Sequence, residues 1–277
     1  MAAKQFFAFG FGYVAAELAR NLAAKGWISS GTVRSQASVD QLAAEGFSAD
    51  IWPGARIIPP PDAAWLISVP PDENGCPVFR SFSHVAQTAS WIGYLSTTGV
   101  YGDLAGGWAF EETPLNPQSR EATNRATAEA QWNTAGARIF RLPGIYGPGR
   151  SQLERVREAG ARRIVKPGQI FSRAHVSDIA SALELAMASP AAGAFNICDD
   201  EPAPADEVLA YAAGLLGIAP PPAVSIEDAN LSPAAQRFYA ECKRVSNARA
   251  KAMLGWRPMF PTYREGLKAC LAALSRT

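Results

Sequence analysis

Gln5-Phe6-Phe7-Ala8-Phe9-Gly10-Phe11-Gly12-Tyr13-Val14-Ala15 is the stretch whose reading decides the fold. An apolar run of strand length passes without a linker into Gly-x-Gly-x-x-Ala, and Ala16 to Ala24 continue with helical spacing. Strand, glycine turn and helix in that order are what a dinucleotide-binding βαβ unit requires. Gly10 permits the tight turn, and Gly12 lets the backbone approach a pyrophosphate where a Cβ would intrude. Ala15 keeps helix and strand close. The N–H groups and the positive dipole end at the helix start, around Tyr13 and Val14, suit phosphate. A turn of purely structural purpose is the competing reading; the position after a strand and before an amphipathic helix favours the ligand.

About twenty residues past the glycines, at the end of a second strand spanning Trp27 to Ser35, an acidic residue would accept the ribose hydroxyls of NAD. Arg34 stands there instead, followed by Ser35. A guanidinium cannot accept that hydrogen bond, but it pairs well with a 2′-phosphate. NADP is therefore favoured, with NAD the lesser candidate.

Composition narrows the function classes. The chain has 277 residues, with 26 basic against 25 acidic side chains and no charge run, which argues against nucleic acid or an anionic membrane as partner. No apolar stretch reaches the length of a membrane span. The N-terminus enters the first strand directly, so no signal peptide is expected and a cytoplasmic protein is. The four cysteines and two histidines are scattered, which predicts reduced thiols and no metal site.

Strand and helix patterns alternate over the first two hundred residues, the mark of a parallel sheet covered on both faces. Further strands are expected at Phe47–Trp52, Ala64–Val69, Trp91–Leu95 and Ala137–Leu142, with helices at Val78–Ser90 and Ser119–Ala135. Beyond residue 150 the periodicity is mostly helical: Gln152–Gly160, Val176–Ala188, Ala205–Leu216, Pro233–Cys242, Asn247–Leu254 and Tyr263–Leu274. The expected architecture is α/β: a Rossmann doubly wound sheet over 1–150, to which 172–200 returns, and a smaller, mostly helical substrate domain over 151–277. Val69, Ser96 and Pro143, at or just past strand ends, are further cofactor-contact candidates.

Together the motifs resemble the extended short-chain dehydrogenase/reductases, the NAD-dependent epimerase/dehydratase group. The resemblance rests on Gly10 to Ala15, on Ser96-Thr97-Thr98-Gly99-Val100-Tyr101-Gly102, and on Arg141 to Gly149. It continues in His175-Val176-Ser177-Asp178-Ile179-Ala180, Ala194-Phe195-Asn196-Ile197 and Leu254-Gly255-Trp256-Arg257-Pro258. It runs nearly end to end in the right order. It implies a nicotinamide cofactor on the sheet and a small-molecule substrate under the C-terminal domain; a homodimer is left open.

The departure matters as much as the match. Such enzymes use a Tyr-x-x-x-Lys pair on the helix after the fifth strand, with a Ser or Thr from the strand end. Here Thr97 falls on the Ser/Thr position, while Glu121 and Arg125 fall on the tyrosine and lysine positions. An arginine could still hold the cofactor ribose but could not relay protons at neutral pH. Tyr101 and Tyr146 follow strand ends and are candidate proton donors, although either could be a packing aromatic. Tyr239 and Lys243 have the right spacing on an expected helix, but lie more than a hundred residues too late. Arg141 and Arg173 could meet an anionic substrate or sit in structural ion pairs. Phe171 replaces the arginine that grips the pyrophosphate in sugar-nucleotide members, which counts against a nucleotide sugar. Three readings stay open: an NADP-dependent oxidoreductase, a catalytically inactive NADP sensor, and an NAD-dependent epimerase or dehydratase.

Overall fold

The computed structural model describes residues 3–275. The chain divides into two compact units, one of Met1–Thr97, Arg120–Arg141 and Ile179–Phe195, the other of Thr98–Ser119, Leu142–Asp178 and Asn196–Thr277.

In the first unit the elements run β1 (Gln5–Phe9), α1 (Tyr13–Ala23), β2 (Ile28–Val33), α2 (Gln36–Ala44), β3 (Ser48–Ile51), β4 (Ala64–Ile67), α3 (Pro77–Phe82), β5 (Trp91–Thr97) and α4 (Arg120–Thr134). Strands Arg138–Leu142 and Ala194–Asn196 complete a seven-stranded sheet. From one edge the order is β3-β2-β1-β4-β5, then Arg138–Leu142 and Ala194–Asn196. β1 pairs in parallel with both β2 and β4, and β2–β3 and β4–β5 are parallel too. The architecture is thus an α/β Rossmann sheet, and chain order reverses between β1 and β4.

The reason β1 sits centrally is its lack of a polar face. Phe6, Ala8 and Phe9 have no exposure and Phe7 only 4%, the burial a strand takes when both sheet faces are covered. Phe9 stands edge-on to Trp65 with ring centroids 5.2 Å apart, inside a core that includes Ile67, Phe82, Tyr94 and Trp132. α1 buries Val14, Ala15, Leu18, Ala19 and Leu22, one helical stripe, each leucine contributing about 1.5–3 kcal/mol through burial. The helix opens at Tyr13, three residues before the apolar spacing suggests, because Gly12 caps it through the backbone.

Two expected elements are shorter or longer than their pattern. The helix expected over Val78–Ser90 ends at Phe82, whose φ of −130° and ψ of 0° break it, and a 3₁₀ turn covers Ser83–Thr88. The fifth strand runs on to Thr97 rather than stopping at Leu95.

The second unit holds helices and three small parallel pairs. Gly144–Tyr146 pairs with Arg173–His175, Arg163–Val165 with Ala223–Ser225, and Trp108–Ala109 with Arg244–Val245. Capping boxes start two of its helices: Ser151 with Glu154 before Gln152–Val156, and Thr262 with Glu265 before Tyr263–Leu274. The helix expected to Gly160 stops at Val156. Asp178 ties two distant motifs together, its carboxylate accepting the N–H of Met259 at 2.5 Å and of Phe260 at 3.2 Å. Trp256 Nε1 donates to the Asp178 carbonyl oxygen at 3.2 Å. Burial pushes the Asp178 carboxyl up to about 6, against those two N–H bonds.

Candidate functional site

The glycine turn lies at the carboxyl end of β1, where chain order reverses, the position at which open α/β sheets bind ligands. Gly10 and Gly12 do different work. Gly10 has φ +85°, and a Cβ there would come within 3.2 Å of the Ser68 carbonyl carbon and the Val69 nitrogen. A side chain there would be strained by the positive φ and crowded by the segment just past β4. The Gly10 N–H donates to Thr32 Oγ1 at 3.0 Å. A Cβ on Gly12 would find no atom nearer than the Gly10 carbonyl oxygen, at 4.0 Å. Gly12 is exposed, and α1 begins directly after it with no side-chain cap. That Cβ would occupy open space over a helix N-terminus, which is the cradle that a pyrophosphate needs. The residues present therefore fit a dinucleotide.

Among the other expected contacts, Tyr13 is half-buried at the first position of α1, and Val14 and Ala15 are buried. Arg34 is exposed just past β2, and Ser35 caps α2, its hydroxyl accepting the Ser38 N–H at 3.3 Å. Val69 is half-buried beside Gly10. Pro143 is half-buried in the second unit. Ser96 is buried, and its hydroxyl donates to Glu129 Oε1 at 2.5 Å, so that side chain is spent in the core.

Glu129 also settles Arg141. The Arg141 guanidinium donates to both Glu129 oxygens, Nε at 3.1 and 3.3 Å and Nη2 at 2.8 Å, and both residues are buried. Of the two readings open for Arg141, the structural ion pair is the one present.

A cavity of about 400 Å³ in the first unit is lined by Pro70, Pro71, Asp72 and Glu73 after β4 and by Arg120, Glu121, Asn124 and Arg125 of α4. It brings the two residues at the tyrosine and lysine positions, Glu121 and Arg125, to one place. Glu121 is exposed, and Arg125 Nη1 donates to the Leu95 carbonyl oxygen at 2.6 Å. Asp72 is held below the usual carboxylate range by Arg80, which donates to it at 2.6 and 2.9 Å. Sequence reasoning missed Asp72 and Glu73, which carry no pattern beyond their place after a strand end. Thr97, half-buried, is the last residue of β5.

The remaining candidates belong to the second unit. Tyr101 has no exposure and its hydroxyl donates to Asn196 Oδ1 at 2.7 Å. Tyr146 is buried against Gly266, edge-on to His175, and burial pushes its phenol far above the usual value. Tyr101 is thus held by a hydrogen bond, whereas the buried Tyr146 hydroxyl has no hydrogen-bond partner. Tyr239 and Lys243 do not share a helix, because Pro233–Ala240 ends first and Glu241 is extended at φ −108°, ψ 133°. Lys243 Nζ donates to the Gly102 carbonyl oxygen at 2.7 Å, so this pair is no dyad. Among the described residues no group of three or more His, Cys, Asp or Glu side chains could hold a metal, and no helix is long and apolar enough to cross a membrane.

No protein-family model matches the chain. The sheet order and the glycine turn at its reversal are similar to those of NAD-dependent epimerase/dehydratase and extended short-chain dehydrogenase/reductase structures. The chain belongs to one family with a conserved Silicibacter pomeroyi protein of unknown function. The two are 44% identical, with a TM-score of 0.94 over 98% of this chain and 99% of that one. A Methylobacillus flagellatus structure assigned to the NAD-dependent epimerase/dehydratases is 25% identical, with a TM-score of 0.70 over 99% and 100% of the chains. A 3-diazoavenalumate denitrifying reductase of Streptomyces is 32% identical over 180 residues, a match spanning 57% of this chain and 57% of that protein.

Proposed function

We propose that this chain is an NADP(H)-dependent oxidoreductase acting on a small carbonyl or hydroxyl compound. The observation that carries the reading is the open cradle at Gly12 over the uncapped start of α1, at the reversal of strand order. The backbone of Gly12 to Ala15 holds the pyrophosphate, and Arg34 with Ser35 holds the 2′-phosphate. When bound, the nicotinamide supplies or accepts hydride. Thr97 orients the substrate oxygen, and Arg125 holds the cofactor ribose. With the Tyr101 hydroxyl engaged by Asn196 and Tyr146 buried, the proton comes from solvent. The likeness to a Streptomyces reductase supports redox chemistry.

Titration with NADPH and, in parallel, NADH, following energy transfer from the tryptophans, tests this. NADPH should bind at least tenfold tighter than NADH, and Arg34→Asp should remove that preference. Binding of neither nucleotide overturns the proposal.

The tether of Arg125 to the Leu95 carbonyl favours a second reading, a cofactor-bound sensor without turnover. Substrate-dependent NADPH oxidation in a carbonyl screen, lost in Thr97→Ala, selects the enzyme. Nucleotide binding without turnover, with Thr97→Ala altering stability alone, selects the sensor.

A further inference from the structure

The second unit contains a cavity of about 610 Å³, the size of pockets that hold drug-sized ligands. Its walls come from Gly144 to Glu158, from Arg162 to Ile164, from Phe171 to Arg173, and from the helices Ala205–Leu215, Pro233–Ala240 and Tyr263–Leu274. Two features of this lining define a ligand.

The first is charge. Arg150, Arg155, Arg162, Arg163 and Arg173 line the cavity, against the carboxylates of Glu154, Glu158 and Asp206. Glu154 is committed to its capping box, accepting the Ser151 N–H at 2.8 Å and hydroxyl at 2.5 Å. Arg162 and Arg163 each donate to a backbone carbonyl, of Ala229 and Pro221. Arg173 differs from these. It is only 7% exposed; Nη2 donates to the Ala203 carbonyl oxygen at 3.0 Å, and Nη1 has no hydrogen-bond partner. A buried guanidinium nitrogen without an acceptor is destabilising, and an anion in the cavity would supply the acceptor.

The second is a flat apolar wall. Phe171 and Phe238 stack with centroids 4.1 Å apart and planes inclined by 9°, and Tyr239 stands edge-on to both. Phe238 is 52% exposed although it is a large aromatic. Phe171 and Arg173 are two residues apart on a segment that bridges to Ala203 and enters the strand Arg173–His175. On an extended chain alternate residues share a face, about 6.6 Å apart. Phe171 and Arg173 both line the cavity, so its wall combines a guanidinium with an aromatic ring, the two groups that a carboxylate attached to an aromatic ring would need.

We propose that this cavity binds a planar aromatic carboxylate, its carboxylate on the Arg173 guanidinium and its ring against Phe171 and Phe238. As a substrate site the cavity rests on the redox reading above; as a ligand site it stands without it. The Tyr263 ring, which also lines the cavity, lies 5.4 Å from the Arg173 guanidinium carbon in a cation–π contact. Asp199, whose N–H donates to the Arg173 carbonyl oxygen at 2.8 Å, is the acidic group acting most strongly on that charge, and its carboxylate oxygens have no hydrogen-bond partner. Burial lifts its carboxyl to about 8, more than the Arg173 charge lowers it.

Calorimetric titration of the full chain without any nucleotide, using 2-naphthoate, the neutral 2-naphthamide and uridine diphosphate, tests the proposal. Naphthoate should bind, the amide at least tenfold more weakly, and uridine diphosphate more weakly than naphthoate. Arg173→Met should lose at least tenfold in naphthoate affinity. Phe238→Ala, at a half-exposed position, should lose threefold or more and keeps the test open if Arg173→Met fails to fold. Equal binding of acid and amide, no binding of naphthoate, unchanged affinity in Phe238→Ala, or tighter binding of uridine diphosphate each overturns it. Because NADPH is absent, failure here leaves the cofactor reading standing, and failure of NADPH titration leaves this result standing.

Discussion

Each unit buries a guanidinium, and the two are treated in opposite ways. In the first, Arg141 meets the Glu129 carboxylate through Nε and Nη2, and Ser96 adds a third donor to the same group. In the second, Arg173 spends Nη2 on a backbone carbonyl and leaves Nη1 unpaired beside a cavity. A satisfied buried pair is a fixed part of a core; a half-satisfied one is a cost that a core would shed unless a ligand removes it. The difference separates structure from function more clearly than burial does, since both arginines are nearly inaccessible.

The largest expected effect sets the two side by side. Glu129→Ala leaves Arg141 charged and alone, and should lower stability by about 3–5 kcal/mol in urea denaturation. Arg173→Met should change it by no more than about 1 kcal/mol, because the bonds lost are few and the aliphatic replacement still packs on Tyr263. Equal costs for the two variants would break the comparison.

A smaller effect sharpens it through pH. Asp199 is 3% exposed and surrounded by Arg173, Asp200 and Glu201, and its carboxyl is raised from 3.8 to about 8. The folded state therefore holds this proton more tightly than the unfolded chain does. The associated stability is complete below pH 3.8 and is lost as pH rises through about 8. Asn cannot titrate, so Asp199→Asn should gain on the wild type between pH 5 and pH 8, by about 3–4 kcal/mol. Thermal melts of both proteins at several pH values measure the gap, in which constant effects of the substitution cancel. A gap independent of pH would mean that Asp199 is ionised throughout.

The two units were also unequally legible. The β1–turn–α1 segment could be read because all its information is local: an apolar run, two glycines and a helical stripe within nineteen consecutive residues, Gln5 to Ala23. The second cavity gathers residues from 144 to 267, and its paired strands are three residues long, too short for any period to show. Arg141 and Arg173 looked alike in sequence because what separates them, Glu129 in one case and an absent partner in the other, comes from other segments. Ser96 misled for the same reason, since its partner lies 33 residues away on α4. The Tyr239–Lys243 pair, set aside for its place in the chain, is also separated by an element boundary, for the helix expected to align it ends between the two residues.

Within the legible region one contrast remains, and it carries the smallest change in stability. Gly10 and Gly12 look equivalent in the motif, yet only Gly10 is pressed against its neighbours, at φ +85° and 3.2 Å from β4's end. Gly10→Ala should cost about 1–2 kcal/mol from the left-handed backbone alone, and weaken nucleotide binding only through the distorted turn. Gly12→Ala places its methyl in open space, so stability should stay within about 0.5 kcal/mol. Its NADPH affinity should nevertheless fall at least tenfold, because the methyl stands where the pyrophosphate must approach the start of α1. Denaturation and fluorescence titration of the two variants read the two quantities independently. If Gly12→Ala kept its affinity, the open space at the helix start would not be a phosphate cradle, and the sheet's reversal point would have lost its ligand.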